Sequence, residues 1–514
     1  MQIQTNNFIE QTFLNKLKFQ LIFLNIFFSV LQLFIYSDLF FIITLFFINI
    51  TSIVVYNSIL KREVLSYYLV PSLIVLVGNF SYLVTPLIIK TFLFENINLN
   101  LLSSNKAFII SCIYILTIFF SLKVLIFFNP IHKHEKKLNN FLEKFNIFKY
   151  VNYKISLNIF IITTIIKLLL LFFDSGLNRT SNFGDIFIKF FYGFDNFTNL
   201  SIILFFNLYF NDQISKKKFY ILLYLNIFLT LFYALAGNTR TEIFEVVLII
   251  GFCFIFYFLT KKITLNKKII FKILFQITIF AILLNIISNK IIEVRKYRDS
   301  VSALDLISFY TNSKNPEEKT DYFDDLQNIN LYTKNYALNR FTPIINLDKM
   351  IFDSNTLTTK EKFEFRLFII KRSVSIIPQN IINIFDKNYN KNDYFISNGS
   401  YIERVAHKRY GGKYNTGSIV AELKLATNSY FFSFLIIGVL FVCLFSIIQK
   451  FQIKEKMNII FSPLIFMIIF KLFTITYSDG ILNILIAIIR LPIEIIFIYN
   501  ILIFFSKVGH IKTN

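Results

Sequence analysis

Arginine is the side chain with the most informative distribution in this sequence. The chain has 11 arginines against 42 lysines, and seven of the arginines fall in one long polar segment, residues 290–428. They are Arg295, Arg298, Arg340, Arg366, Arg372, Arg404 and Arg409. A guanidinium grips phosphate oxygens through two parallel hydrogen bonds and never loses its charge. The pattern predicts a site for a pyrophosphate or another polyanion. Pairing with nearby acids such as Asp299 or Glu403, or with lipid headgroups, is the alternative.

Three arginines lie where an apolar run begins or ends. Arg295 and Arg298 follow the run before the polar segment, and Arg240 lies in the short turn Gly237–Glu242 between two runs. A charge at such a boundary is costly to hold, which favours function, although a helix cap with a snorkelling arginine is the alternative for Arg240. The candidate pyrophosphate ligands are Arg240, Arg295, Arg298, Arg404 and Arg409.

Few groups qualify as a general base. His407 is the one histidine of the polar segment, and an imidazole titrates near neutral pH; a histidine without a task is the alternative. Glu422 precedes an apolar run, where an ionised carboxylate needs a partner, so function and structural pairing are both open. The candidate catalytic residues are His407, Glu403, Asp299 and Glu422.

Motifs for other chemistries are missing from the sequence. It has no metal-ligand cluster, no glycine-rich phosphate loop and no nucleophile-elbow motif. Its three cysteines all fall in apolar runs, which argues against a disulfide framework and a thiolate metal site. We therefore expect no metal and no cofactor.

The elements that must position these residues are membrane-length helices. The chain is 55% hydrophobic, and about twelve apolar runs have the length that a hydrocarbon core of roughly 30 Å requires. They are Phe19–Tyr36, Leu39–Leu60, Leu65–Ile89, Ala107–Phe128, Ile155–Phe173, Phe190–Phe210, Phe219–Ala236, Ile243–Thr260, Ile269–Asn289, Ser429–Gln449, Ile459–Tyr477 and Ile481–Phe505. The sequence predicts an all-α polytopic membrane protein.

Three regions follow from these runs. Residues 1–289 form an N-terminal transmembrane bundle of about nine helices, and residues 429–514 contribute about three more. Lysine-rich loops alternate with lysine-poor ones, which places both termini in the cytoplasm and residues 290–428 outside as one large loop of mainly helical and irregular structure. The same loops account for most of the net charge of +22, so nucleic acid is not an expected partner.

Two further helices are predicted outside the apolar runs, the first of them amphipathic. His132–Tyr153 alternates basic and apolar residues and is expected to rest on lipid headgroups. In the polar segment, Thr358 and Glu361 have capping-box spacing before Phe363–Ile377, which predicts a helix that Pro378 stops.

With these features the chain resembles the bacterial O-antigen and capsule repeat-unit polymerases, the Wzy family. The likeness rests on about twelve spans, the turn from Gly237 to Arg240, and the arginines directly after the span before a large loop. It also rests on Ile377–Pro378 and on Gly417–Leu423 running into the last spans, with Gly438 early in them. The regular arginine-to-glycine spacing in two loops that some members show is missing here.

The resemblance implies a GT-C-like polymerase or ligase architecture in the bacterial inner membrane. It implies a glycosyltransferase that moves a growing glycan from undecaprenyl pyrophosphate to a lipid-linked repeat unit on the outer face. The implied partners are the undecaprenyl-pyrophosphate-linked oligosaccharide, membrane lipids and a chain-length regulator protein.

Two other functions remain open at this point. An O-antigen ligase or an O-oligosaccharyltransferase shares this plan and differs in the acceptor. A lipid-linked oligosaccharide flippase or another transporter is also polytopic and basic. Transporters more often show internal repeats and charged residues deep in several helices, which the sequence does not make evident.

Overall fold

The computed structural model describes residues 10–128, 151–173, 185–237, 241–259, 286–287, 291, 332, 342–377, 379–394, 396–407, 418–453, 463–475 and 480–508. Within these ranges the regular secondary structure is helical, without a strand. Eight helices there are long and apolar enough to cross a membrane, which confirms the expected fold class at the level of membrane-length helices.

The N-terminal helices include one irregular span. The elements are α1 (Gln11–Ile35), α2 (Leu39–Ile59), α3 (Arg62–Tyr67), α4 (Leu69–Asn79), a π-helical turn (Phe80–Val84), α5 (Thr85–Phe92) and α6 (Asn105–Phe128). The stretch from Leu69 to Phe92 forms a single candidate span. Pro86 has no N–H, and its ring crowds the carbonyl of Tyr82 four residues earlier, so the helix widens into a π turn at this point.

The remaining helices fall into three groups along the chain. The middle group is α7 (Tyr153–Phe173), α8 (Asp185–Phe210), α9 (Lys216–Ala236) and α10 (Thr241–Leu259). The polar segment supplies α11 (Ile344–Thr356), α12 (Thr359–Val374), α13 (Gln379–Phe385), a 3-10 turn (Lys391–Tyr394), α14 (Asn398–His407) and α15 (Ile419–Thr427). The last group is α16 (Tyr430–Ile453), α17 (Pro463–Ile475), α18 (Ile481–Ile489) and α19 (Leu491–Val508).

The predicted count of twelve spans is met in part. Eight predicted runs are candidate spans, and α18 with α19 gives a ninth if this pair, bent by 51°, crosses as one span. The bend follows from Pro492, which cannot continue the hydrogen-bond ladder of α18. The apolar parts of α8 (Phe197–Phe210) and α17 (Pro463–Phe473) are shorter than a candidate span. The run Ile269–Asn289 and the helix predicted at His132–Tyr153 lie almost wholly outside the described residues, so twelve spans and the GT-C-like architecture stay predictions.

The helices pack as two groups that the C-terminal helices join. Helices α1, α2, α4 and α6 pack together, and α4 and α6 contact α16; helices α7 to α10 pack together, and α7 and α8 contact α19, with α8 also contacting α17. Buried hydrogen bonds fix α2 against α4, because Asn79 donates to the Tyr56 hydroxyl at 3.1 Å and accepts from Ser52 at 3.2 Å. In a lipid bilayer the burial of apolar surface does not drive helices together, so hydrogen bonds between helices contribute to their association.

The polar segment is anchored on the loop between α5 and α6. The carboxylate of Asp348 in α11 accepts hydrogen bonds from the backbone N–H groups of Leu102 at 2.6 Å and Ser103 at 2.7 Å. The hydroxyl of Tyr332 donates to the carbonyl of Ile97 at 2.8 Å. These contacts satisfy buried polar groups on both sides and so fix the position of α11 against α6.

The capping box predicted for the polar segment is present. The hydroxyl of Thr358 accepts from the N–H of Glu361 at 3.3 Å, and the N–H of Thr358 donates back to the Glu361 carboxylate at 2.7 Å. Helix α12 begins directly after this cap, at Thr359, and ends at Val374, four residues before Pro378. The prediction of this helix is confirmed.

Candidate functional site

Glu422 is the candidate catalytic residue for which the structure gives the fullest environment. It lies in α15, and its side chain is 1% exposed. Helix α15 ends at Thr427, and the left-handed backbone of the following Asn428 (φ 59°) turns the chain towards the candidate span α16. Asparagine tolerates this conformation better than other non-glycine residues. Glu422 therefore lies where the polar segment meets a candidate membrane span.

Two donors hold the Glu422 carboxylate. Its Oε2 accepts from Asn398 Nδ2 at 2.8 Å and from the backbone N–H of Ile481 at 3.0 Å. Asn398 begins α14, and Ile481 begins α18. The carboxylate thus joins three helices, and it satisfies an N–H at the start of α18, where the helix dipole favours negative charge.

Arg372 of α12 completes the cluster from a fourth helix. Its Nη1 donates to Asn398 Oδ1 at 3.3 Å and to the carbonyl of Ile396. The Asn398 side chain is therefore oriented at both ends, because it accepts from the guanidinium and donates to the carboxylate. We call Arg372, Asn398, Glu422 and Gly480 the Glu422 junction.

Gly480 is the member of the junction that requires the absence of a side chain. A Cβ at this position would lie 3.1 Å from Glu422 Oε1 and 3.5 Å from Oε2. The carboxylate is held by Asn398 and Ile481, so it has little room to retreat. Glycine at this position therefore allows the close approach of the chain to Glu422.

The environment gives Glu422 an unusual proton affinity. Burial raises its pKa to about 7, while the hydrogen bonds from Ile481 and Asn398 and the charge of Arg372 act in the opposite direction. A carboxyl group of this kind holds or releases a proton near neutral pH. Because its side chain is almost completely buried, Glu422 acts on the position of its neighbours and is not itself open to a substrate in this structure.

Replacing Glu422 with glutamine should change how stability depends on pH. The pKa of this carboxyl rises from 4.5 to about 7 on folding, so its stabilising contribution is full below pH 4.5 and is lost as the pH rises through 7. The loss amounts to about 3 kcal/mol. Thermal unfolding of the purified chain at pH 5 and pH 8 should show a smaller difference for Glu422→Gln than for the wild type. Equal differences would contradict the raised pKa.

Three other predicted site residues lie on α14, the helix whose first residue is Asn398. Glu403 pairs with Lys349 of α11 at 2.6 Å, and Arg404 occupies the next position. His407 is the last residue of α14, one turn beyond Glu403; its side chain lies outside the described residues. The structure thus places three candidates on a helix that the Glu422 junction holds at its start.

The remaining candidates lie outside the described residues. They are Arg240, Arg295, Arg298, Arg409 and Asp299. Their convergence around one cavity therefore stays a prediction. The helices on either side of Arg240 agree with the turn predicted at Gly237–Glu242. Helix α9 has its C-cap at Gly237, and α10 begins at Thr241 with Glu242 in its first turn.

A second cluster joins α7, α8, α10 and α17, and the sequence reasoning missed it. Lys167 pairs with Glu242 at 2.6 Å, and Lys471 pairs with Glu245. Asn199 bridges the two carboxylates, since its Nδ2 donates to Glu242 at 2.8 Å and to Glu245 at 2.9 Å. We call these five residues the buried ion network.

The buried ion network is held inside otherwise apolar helices. The side chains of Lys167, Lys471, Glu242 and Glu245 are 8%, 12%, 20% and 17% exposed. Lys167 also lies 5.0 Å from the ring of Tyr233, a cation–π distance. Charges are expensive to hold in apolar helices, so such a cluster marks a functional or positioning role by default.

A signal for the network was available in the sequence. Lys167, Glu245 and Lys471 are single charged residues within apolar runs, a pattern that points to pairing inside the protein. Asn398 and Gly480 gave no comparable signal, because asparagine and glycine are ordinary in polar turns.

Comparison of the chain with family models, with curated proteins and with solved structures finds no significant match.

Proposed function

We propose that this chain is a membrane glycosyltransferase that polymerises oligosaccharide repeat units on undecaprenyl pyrophosphate. The family resemblance of the sequence suggests this function, and the arrangement of the polar segment supports it. Its main support is the Glu422 junction, which connects three helices of the polar segment with α18 of the bent candidate span through hydrogen bonds of Glu422 and Asn398. A reaction on a lipid-linked substrate requires polar catalytic groups held at such a boundary.

The proposed step exchanges one bond to the anomeric carbon for another. A hydroxyl oxygen of the lipid-linked repeat unit forms the new glycosidic bond to that carbon of the growing glycan. The bond from this carbon to the pyrophosphate oxygen breaks, and undecaprenyl pyrophosphate leaves with the electron pair. The hydroxyl proton passes to a base of the enzyme. Negative charge builds on the departing pyrophosphate, where arginines stabilise it.

Helix α14 is the proposed carrier of the base. Glu403 and His407 lie one turn apart on this helix and therefore on the same face. Glu403 pairs with Lys349 of α11 at 2.6 Å, which fixes the position of its carboxylate on this helix. Arg372, Asn398 and Glu422 are positioning residues in this proposal, because they fix the first turn of α14 and touch no substrate.

The buried ion network has a positioning role in the same proposal. Lys167 and Asn199 hold Glu242, which follows Arg240 by two residues. These contacts fix the first turn of α10, the helix that follows Arg240 in the sequence. Arg240, Arg295 and Arg298 are the proposed ligands of the departing pyrophosphate, with Arg404 and Arg409 as the further candidates.

A lipid-linked oligosaccharide flippase or another transporter is the second candidate function. The buried ion network favours it, because transporters place charged residues inside several helices. An O-antigen ligase would use the same donor and the same boundary arginines with a different acceptor.

Reconstitution of the full chain with a lipid-linked repeat unit distinguishes these functions. The proposed polymerase should produce a ladder of longer glycans on the lipid and release undecaprenyl pyrophosphate. Glu403→Gln should abolish the ladder if Glu403 is the base, and His407→Ala should abolish it if His407 is. Transfer of the substrate across the vesicle membrane without a ladder would overturn the proposal in favour of transport, and glycan moved only to a non-repeat acceptor would identify a ligase.

A further inference from the structure

Helices α12 and α13 of the polar segment carry large apolar side chains that the described protein leaves uncovered. On α12 these are Phe363, Leu367 and Ile370; Ile377 follows this helix, and α13 adds Ile381, Ile384 and Phe385. Phe363 is 58% exposed, Ile370 61%, Ile384 75% and Phe385 86%. We call these seven residues the α12–α13 apolar face. An uncovered apolar surface of this size outside the candidate spans indicates a contact with something apolar.

Helix α12 has three distinct faces. Its buried face carries Phe365, Phe368 and Ile369, which are 0%, 7% and 5% exposed. At about 100° per residue, Phe363, Leu367 and Ile370 share one side of the exposed face, within about 60°. The charged residues Lys360, Glu364 and Lys371 are also exposed and occupy the other side. A helix that divides its exposed surface in this way is typical of one that lies at a lipid–water interface.

The neighbours of α12 place it at the level of the candidate spans. Helix α12 packs against α15 and α18, and Arg366 Nε donates to the carbonyl of Leu425 in α15 at 3.1 Å. Helix α18 belongs to the bent candidate span, and α15 is followed by the candidate span α16 after two residues. Three Cα–Cα steps cover at most roughly 11 Å, so α15 lies close to the start of α16.

The first turns of α16 also carry exposed apolar side chains. Phe431, Phe432 and Leu435 in its first two turns are 72%, 54% and 55% exposed. In a candidate span these side chains face lipid. Helix α12 is connected to this lipid-facing surface through α15, which it contacts and which two residues separate from the start of α16.

We propose that the α12–α13 apolar face is seated in the headgroup region of the lipid bilayer. The occupant is the lipid surface, because α12 packs against α15 and against α18 of the bent candidate span, and its exposed lysines lie beside the apolar stripe, where headgroup phosphates would meet them. This contact with the headgroup region would hold the polar segment at a fixed distance from the membrane-spanning helices. This inference is independent of the reaction that the chain catalyses.

The absence of tryptophan from the chain allows a direct test with the full-length protein. Each single Trp variant then reports from one place. The variants are Phe363→Trp and Phe385→Trp on the apolar face, Glu364→Trp on the charged side of α12, and Phe432→Trp in the candidate span as a reference. Each is reconstituted in nanodiscs of phosphatidylcholine with bromine atoms on the upper part of the acyl chains, which quench nearby indole fluorescence.

The two variants on the apolar face should be quenched roughly threefold more than Glu364→Trp and should approach the Phe432→Trp reference. Quenching at positions 363 and 385 no stronger than at 364 would overturn the proposal. Blue-shifted emission without quenching would also overturn it, because the face would then be covered by protein. If that shift grew with the number of copies per disc, the cover would be a second copy of the chain. Strong quenching in the Phe432→Trp reference shows in each preparation that the chain is inserted.

Discussion

Replacing Glu245 with glutamine should destabilise the protein by about 3–5 kcal/mol, because the change removes the carboxylate that pairs with Lys471 and leaves a buried ammonium without it. In a chain of 514 residues, 1 kcal/mol corresponds to roughly 1 °C, so the unfolding midpoint should fall by about 3–5 °C. Glutamine keeps an acceptor for Asn199, so the effect measures charge and not shape. The measurement is the fraction of monodisperse protein that remains after heating in detergent.

A double variant separates lost pairing from general damage. Glu245→Gln combined with Lys471→Met removes both charges and leaves an apolar side chain of similar length, so it should recover more than half of the lost stability. Glu364→Gln on the exposed side of α12 is the matched control and should leave the midpoint unchanged. Losses that simply add in the double variant would show that Glu245 and Lys471 are not energetically coupled.

Replacing Arg295 with lysine should lower turnover in the reconstituted reaction by roughly a hundredfold, although the charge is kept. A compact ammonium does not bridge two phosphate oxygens as the guanidinium fork does. The loss should fall mainly on kcat, because charge develops on the leaving pyrophosphate in the transition state. The assay compares rates of ladder formation at saturating lipid-linked substrate.

Arg490 provides the control for this substitution. It pairs with Glu494 at 2.9 Å and is 55% exposed, so Arg490→Lys should retain full activity. Long glycans that persist with Arg240, Arg295 and Arg298 each changed to lysine would show that these arginines only anchor helices. The site would then have to be sought near Arg404 and Arg409.

Local features of this chain were predictable from the sequence, and long-range ones were not. The capping box of α12 depends on Thr358 and Glu361, three residues apart, so spacing alone was sufficient. The apolar runs likewise gave most candidate spans, because length and composition define them. Breaks within runs were missed at the π turn and at Arg490, although Pro86 and Pro492 mark both places.

The Glu422 junction depends on tertiary structure. Arg372, Asn398 and Gly480 come from three distant parts of the chain, and no periodicity connects them. The sequence identified Glu422 because a carboxylate before an apolar run needs a partner, but the partner followed only from the packing of α12, α14 and α18. The buried ion network was missed for the same reason, since its members lie in four separate helices.

The π turn in the third candidate span also sets the rotation of everything that follows it. A π turn holds one residue more than the same length of α-helix, which rotates the next helical stretch by about 100°. Asn79 before the turn bonds to Tyr56 of α2, whereas Lys90 after it lies 4.4 Å from the ring of Tyr332 and pairs with Glu95 at 2.6 Å. Deleting one residue from Phe80–Val84 would give a regular helix of similar length but would turn Lys90 away from Tyr332, whereas Glu95 would rotate with it. A one-residue deletion here would therefore keep the span but change which of its faces meets the polar segment.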